Sequence, residues 1–130
     1  MIAIDTNILL RLILEDDPEQ SKAARDLLAA NKLFVPVTVS MEAEWVLRAA
    51  YRLARDQIAN AIEFIISVEN MEFEMSVALL WSVARYRDGA DFADMVHIVA
   101  SKEMSAFATF DKRLEKQAMP DCPIKIYTIQ

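Results

Sequence analysis

Residues 1–14 read MIAIDTNILLRLIL, and the character of the chain changes at Asp5. Ile2 to Ile4 is a short apolar run of the kind a buried strand carries, whereas Ile8 to Leu14 is apolar densely enough for a buried helix. The stretch therefore predicts a strand that hands over to a helix at Asp5, a residue type that caps helices well. Downstream, Asp17 precedes Pro18 with Gln20 three residues after the Asp, which supplies an N-cap, a Pro at the first helical position and a capping-box partner. A helix to about Ala30 follows. Leu33 to Val37 reads as a second strand that Pro36 brings to an end, and Ser40 to Arg52 reads as a helix. Ile58, Ala61, Ile62 and Ile65 recur at helical spacing over 56–67, and a weak strand is expected over 72–75. A helix over 77–86 stops at Asp88-Gly89, Asp91 opens another to about Glu103, Ala106 to Phe110 is a strand ending in Asp111, and Ile124 to Thr128 is the last strand. Short apolar strands alternating with longer helices predict an α/β fold whose parallel sheet is covered on both faces through right-handed crossovers.

The composition narrows the function classes. With 130 residues and a hydrophobic fraction of 55%, the chain is expected to fold as one domain over 1–130 with a real core. Its single Gly, Gly89, excludes the dinucleotide fingerprint and the P-loop, both of which need several glycines. One Cys, Cys122, and one His, His97, exclude an internal disulfide, a Cys-rich zinc site and a multi-histidine metal site. No apolar run approaches the roughly 20 residues a membrane span requires, and Asp5 stands where a signal peptide would be apolar, so a cytoplasmic protein is expected. The formal net charge of -6 argues against bulk attraction to nucleic acid, though not against a local basic rim.

Acidic side chains carry the chemistry. Ligands of open parallel sheets bind beyond the carboxyl ends of the strands, and Asp5 and Asp111 each follow directly on a predicted strand. On the helix from Ser40, Glu42 shares a stripe with Trp45, Val46 and Ala49, while Glu44 lies on another side, in reach of Arg48 at i+4. A carboxylate on an apolar stripe needs a role or a partner, which marks Glu42 as functional and Glu44 as a solvated ion pair. Asp91 and Asp94 stand at i and i+3 at the start of a helix, where a cap and a first-turn acid are also the bland reading. Carboxylates brought together repel unless a cation intervenes, and oxygen ligands without spare His or Cys favour Mg²⁺ or Mn²⁺. Such an ion acidifies water and neutralises charge in an in-line phosphoryl displacement, which is nuclease chemistry.

Asp5-Thr6-Asn7, Glu42 ahead of Trp45-Val46-Leu47, Asp91-Phe92-Ala93-Asp94 and Thr109-Phe110-Asp111 occur in this order. In that ordered set the chain resembles the PIN-domain ribonucleases, and among them the VapC-type toxins of toxin-antitoxin pairs, from Met1 to about Thr128. The resemblance implies a PIN-like three-layer α/β/α sandwich with a central parallel sheet of four to five strands. It also implies a Mg²⁺- or Mn²⁺-dependent endoribonuclease with Asp5, Glu42, Asp94 and Asp111 as catalytic and metal-holding acids, supported by Thr6, Asn7 and Asp91. RNA is then the substrate and a small VapB-type antitoxin a partner, and the apolar fraction adds a homodimer to the expectation. The acids are expected to converge at the carboxyl edge of the sheet.

Arg11, Lys112 and Arg113 are the candidate phosphate contacts, with solvated helix faces as the ordinary alternative for such cations. A general-base role for His97 is conceivable, but a lone helical His is more often structural. A Ser-His-Asp triad through Ser101 or Ser105 lacks a nucleophile elbow, which one Gly cannot build. A haloacid dehalogenase-like phosphatase would want Asp where Asn7 stands, and a phosphoacceptor receiver domain would want paired acids at the first strand and a later Lys. A PIN-domain RNA-processing nuclease outside a toxin-antitoxin pair and a non-catalytic metal-binding interaction domain remain as alternatives.

Overall fold

The computed structural model describes residues 1–130, which pack as two compact units, Met1–Ser76 and Val77–Gln130. The first unit runs β1 (Ile2–Ala3), α1 (Thr6–Ile13), α2 (Pro18–Ala30), β2 (Leu33–Val35), α3 (Val37–Ala49), α4 (Arg55–Ile66) and β3 (Met71–Phe73). Its strands form a parallel sheet in the order β1-β2-β3, with Ile2 opposite Leu33 and Leu33 opposite Met71. The central strand carries the core: Leu33 and Val35 are fully buried, and so are Leu47 of α3 and Ile58 and Ala59 of α4. A strand buried in this way reads as apolar throughout, as the sequence pattern required. Helix α1 packs on α2, α3 and α4.

Each strand of this unit runs into a helix almost without a loop. Ile4 still donates to the Phe34 carbonyl at 3.0 Å, and Asp5 then caps α1. Pro36 ends β2 and becomes the N-cap of α3, with its carbonyl accepting from Val39 and Ser40 at 3.0 and 3.2 Å. The helix thus begins at Val37, three residues earlier than expected, although Val37-Thr38-Val39 has strand-like side chains. The physical reason lies in the next strand: Glu74, just past β3, accepts from the Val37 N–H at 2.8 Å and caps the helix from 37 residues away.

The second unit holds α5, which begins at the junction and spans Ser76–Arg87, then α6 (Phe92–Ala100), β4 (Phe107–Thr109), α7 (Leu114–Gln117) and β5 (Ile126–Thr128). Strands β4 and β5 pair in parallel. Its core gathers Met95 and Ile98 of α6, Leu114 and Ala118 around α7, and Ile124 and Ile126 leading into β5. Tyr86 and Phe92 meet edge to face at 5.7 Å across the α5–α6 turn. Helix α6 stops at Ala100, short of Glu103, and α7 is a single turn that its sequence did not announce.

The parallel α/β class is as expected, but the sheet of four to five strands is corrected to a three-stranded sheet and a separate two-stranded pair. With strands of two or three residues each ladder has only two or three rungs, and none of them links β4 or β5 to the three-stranded sheet. Only β2 carries ladders on both sides.

Between α5 and α6, Gly89 adopts φ 109°, and a Cβ placed there would meet nothing within 4 Å. The position is open in space and closed in backbone conformation. Gly89→Ala should therefore lower stability by roughly 1–3 kcal/mol through strain alone, read as a shifted urea midpoint at an unchanged m-value.

Candidate active site

In the first unit the site begins at the N-terminus of α1. Asp5 is its N-cap, in extended backbone, and its Oδ1 accepts from the Ile8 N–H at 3.0 Å. The next residue, Thr6, is buried and donates its hydroxyl to Oε1 of Glu42 on α3 in a short hydrogen bond. The two acids singled out in this unit are thus coupled through adjacent residues of α1. Asn7 is exposed and lines, with Asp5, Ile8 and Arg11, a groove of about 410 Å³ whose other wall is Gln20, Ala23, Ala24 and Leu27 of α2.

The two glutamates of α3 exchange their expected surroundings. Glu44 is only 3% exposed, whereas Glu42 is exposed and Trp45, on the stripe taken to be apolar, is 57% exposed. Ser40, Ala43, Glu44 and Leu47 form the buried face instead. Both sets of four fit the same i, i+3, i+4, i+7 spacing, so periodicity could not choose between them. Small side chains at 40 and 43 allow close packing of the face that carries them, and that face becomes the inner one. Glu44 is therefore no solvated surface acid: its Oε2 accepts from Arg48 Nε at 2.8 Å, with the Arg half exposed.

Arg11, named above as a phosphate contact, is already engaged. Its Nε donates to Gln20 at 2.7 Å, and its Nη1 donates to Asp16 at 2.8 Å and to the Tyr51 hydroxyl at 3.2 Å. Tyr51 in turn donates to Asp16 at 2.9 Å. The Tyr51 hydroxyl, and after it the Arg11 charge, hold the Asp16 carboxyl below its usual range. This ring ties the end of α1, the turn into α2 and the end of α3 together, and Gln20 serves Arg11 rather than a capping box.

In the second unit, Asp91 caps α6 by accepting from the Asp94 N–H at 3.0 Å. Asp94 sits half-buried in the first turn. Burial pushes its pKa up, the neighbouring charge of Asp91 adds to this, and Asp111 adds further, with His97 partly offsetting them. Asp111 follows β4 in a tight turn: its N–H donates to Thr109 Oγ1 at 3.0 Å, and its Oδ1 accepts from the Arg113 N–H at 2.9 Å. Arg113 also approaches through Nε at 3.5 Å from a largely exposed side chain, and Lys112 is exposed. His97 is exposed one turn beyond Asp94.

The donor set suits a hard divalent cation. Every candidate ligand is a carboxylate, and the Asp94 pKa is raised by burial first, with the charges of Asp91 and Asp111 adding to it. The structure gathers no three acidic, imidazole or thiol groups closely enough to hold an ion by themselves.

The pH dependence of the metal-free protein follows from that shift. With a folded pKa above the usual carboxylate value, the folded chain holds the Asp94 proton to higher pH than the unfolded chain, so stability falls as pH rises through this window. Asp94→Asn removes the penalty. Thermal melts in chelator should show the variant above the parent at pH 7 and the gap closing below the carboxylate range.

No curated protein matches the chain. The PIN domain family model matches residues 2–119, a span that takes in every acid from Asp5 to Asp111 and stops short of β5. With nearly its whole length matched, the chain belongs to the PIN domain family, whose members are generally metal-dependent nucleases.

Proposed function

We propose that this chain is an endoribonuclease that hydrolyses RNA phosphodiester bonds with Mg²⁺ or Mn²⁺, and that it acts in the cytoplasm as the toxin of a type II toxin-antitoxin pair. The observation that carries the reading is the hydrogen bond from Thr6 to Glu42 beside Asp5, which joins two widely separated motif residues in one unit. The family match and the order of the motifs support it. Asp5, Glu42, Asp94 and Asp111 are the acids that would hold the ion, and the ion, when bound, supplies Lewis-acid stabilisation of the phosphate and a more acidic water. Thr6 orients Glu42, as a supporting hydrogen bond typically does for a metal-ligating carboxylate. Asp91 holds the N-terminus of α6, and with it Asp94, in place. Lys112 is the free cation next to Asp111 suited to a substrate phosphate. A homodimer and a small VapB-type antitoxin complete the reading, the antitoxin silencing the enzyme by placing a basic residue among the acids.

Two substitutions test it. Asn caps helices about as well as Asp, so Asp5→Asn should leave the melting temperature nearly unchanged and cut metal-dependent cleavage of a labelled RNA by more than roughly 100-fold, since even an outer-shell partner is worth 10–100-fold. Thr6→Val, similar in shape, should cost roughly 10–100-fold and raise the metal concentration needed for half-maximal rate. Undiminished cleavage by folded Asp5→Asn overturns the assignment. Expression of the parent should arrest growth and that of Asp5→Asn should not. Sedimentation at micromolar concentration should give a dimer; a monomer throughout rejects that part.

A further inference from the structure

The groove of about 410 Å³ between α1 and α2 is built from one stripe of each helix. Asp5 caps α1, and Asn7, Ile8 and Arg11 follow it along one wall. On the other wall Gln20, Ala23, Ala24 and Leu27 recur at i, i+3, i+4 and i+7, the spacing of a single helix face. Ala23 is exposed, so its short side chain leaves the space open, while Ile8 and Leu27 are half-buried and supply apolar surface. The volume falls in the range of sites for small organic groups, which are mostly apolar and carry a few placed polar atoms.

Its polar atoms define what it can hold. Arg11 Nε only donates, so the Gln20 amide atom 2.7 Å from it must be the carbonyl oxygen. That oxygen is spent, and Gln20 is left with its NH₂, a donor without an acceptor beside it. Asn7 is exposed on the facing wall and can donate or accept. The one cation of the lining, Arg11, is held by Gln20, Asp16 and Tyr51, and Asp5 adds a negative charge. A phosphate or a carboxylate gains nothing there. A neutral flat ring with a carbonyl does, because its faces rest on apolar side chains while its edge accepts from Gln20, the way an unstacked base is read. Uracil and guanine present a carbonyl, O4 or O6, at the position where cytosine and adenine present an amino group. A donor-only Gln20 therefore separates the two pairs.

We propose that this groove is a base pocket: it takes the nucleobase adjoining the phosphate cut at Asp5, and through the Gln20 NH₂ it prefers uracil or guanine to cytosine or adenine. The proposal rests on the nuclease reading and deepens it into a sequence preference. The test measures binding apart from cleavage, by anisotropy in chelator, with labelled RNA heptamers that carry a single base among abasic nucleotides. The U and G heptamers should bind about 3- to 10-fold tighter than the C and A heptamers, the worth of one hydrogen bond. Gln20→Glu keeps an oxygen for Arg11 and turns the free donor into an acceptor, so the order should invert toward C and A. The ratio is the readout, because the added charge weakens all four alike. Ala23→Leu, at an exposed position of α2, fills the groove and should level the four at an unchanged melting temperature. In the active protein with Mg²⁺, cuts mapped on a mixed-sequence RNA should fall beside U or G, and beside C or A in Gln20→Glu. A parent that binds all four alike, or a preference that survives both Gln20→Glu and Ala23→Leu, overturns the pocket and leaves the groove to an apolar segment of a protein partner. Base discrimination in chelator without cleavage in Mg²⁺ or Mn²⁺ refutes the nuclease reading and leaves the pocket standing.

Discussion

The hydrogen bond from the Ile8 N–H to the Asp5 carboxylate is the contact on which the rest of the first unit depends. It ends β1 after two residues, starts α1 in register with the sheet, and puts a carboxylate where the helix dipole favours negative charge. An acid also caps α3 at Val37 after β2, supplied there by Glu74, while Asp17 and Asp91 cap α2 and α6 after helices rather than strands. Strands that end in capped helices are short, and short strands make small sheets. At β1 and β2, strand length and an acidic helix terminus are therefore two consequences of one device.

Capping does not exhaust these acids. An ionised carboxylate offers about four lone-pair sites, and an N-cap bond occupies one of them. Asp5 can hold the start of α1 and still present oxygen to a ligand. Asp91 and Asp94 divide the work differently: Asp91 takes the cap, and Asp94 is left in the first turn with a raised pKa because burial and two neighbouring acids disfavour its charge. That is the electrostatic condition under which a bound cation stabilises a protein, since it relieves a repulsion the fold already contains.

Around the acids the structure spends polar groups on rigidity. The Arg11, Asp16, Tyr51 and Gln20 ring fastens the elements that flank the groove beside Asp5. Its guanidinium makes three hydrogen bonds within the protein, so its charge is invested in holding α1 and α2 together. Buried Glu44 with Arg48 serves α3 in a comparable way, while exposed Glu42 is held by Thr6. Thus the residue that looks like a surface ion pair is buried, and the residue that looks like a core intruder is exposed and held by Thr6.

Much was legible in the primary structure because it is written in local chemistry. The handover at Asp5, the Asp17-Pro18 start of α2, the Asp88-Gly89 stop and the cap at Asp91 each depend on residues within one helical turn, and the ordered acids pointed to the family that the match over residues 2–119 shows. Tertiary contacts decided the rest. The start of α3 depends on Glu74, Gln20 is claimed by Arg11, and the inner face of α3 was chosen between two stripes of identical spacing by the small size of Ser40 and Ala43. Glu74 and Arg11 lie more than a turn from the residues they govern, and side-chain period alone carries no information about which face a neighbouring element will cover.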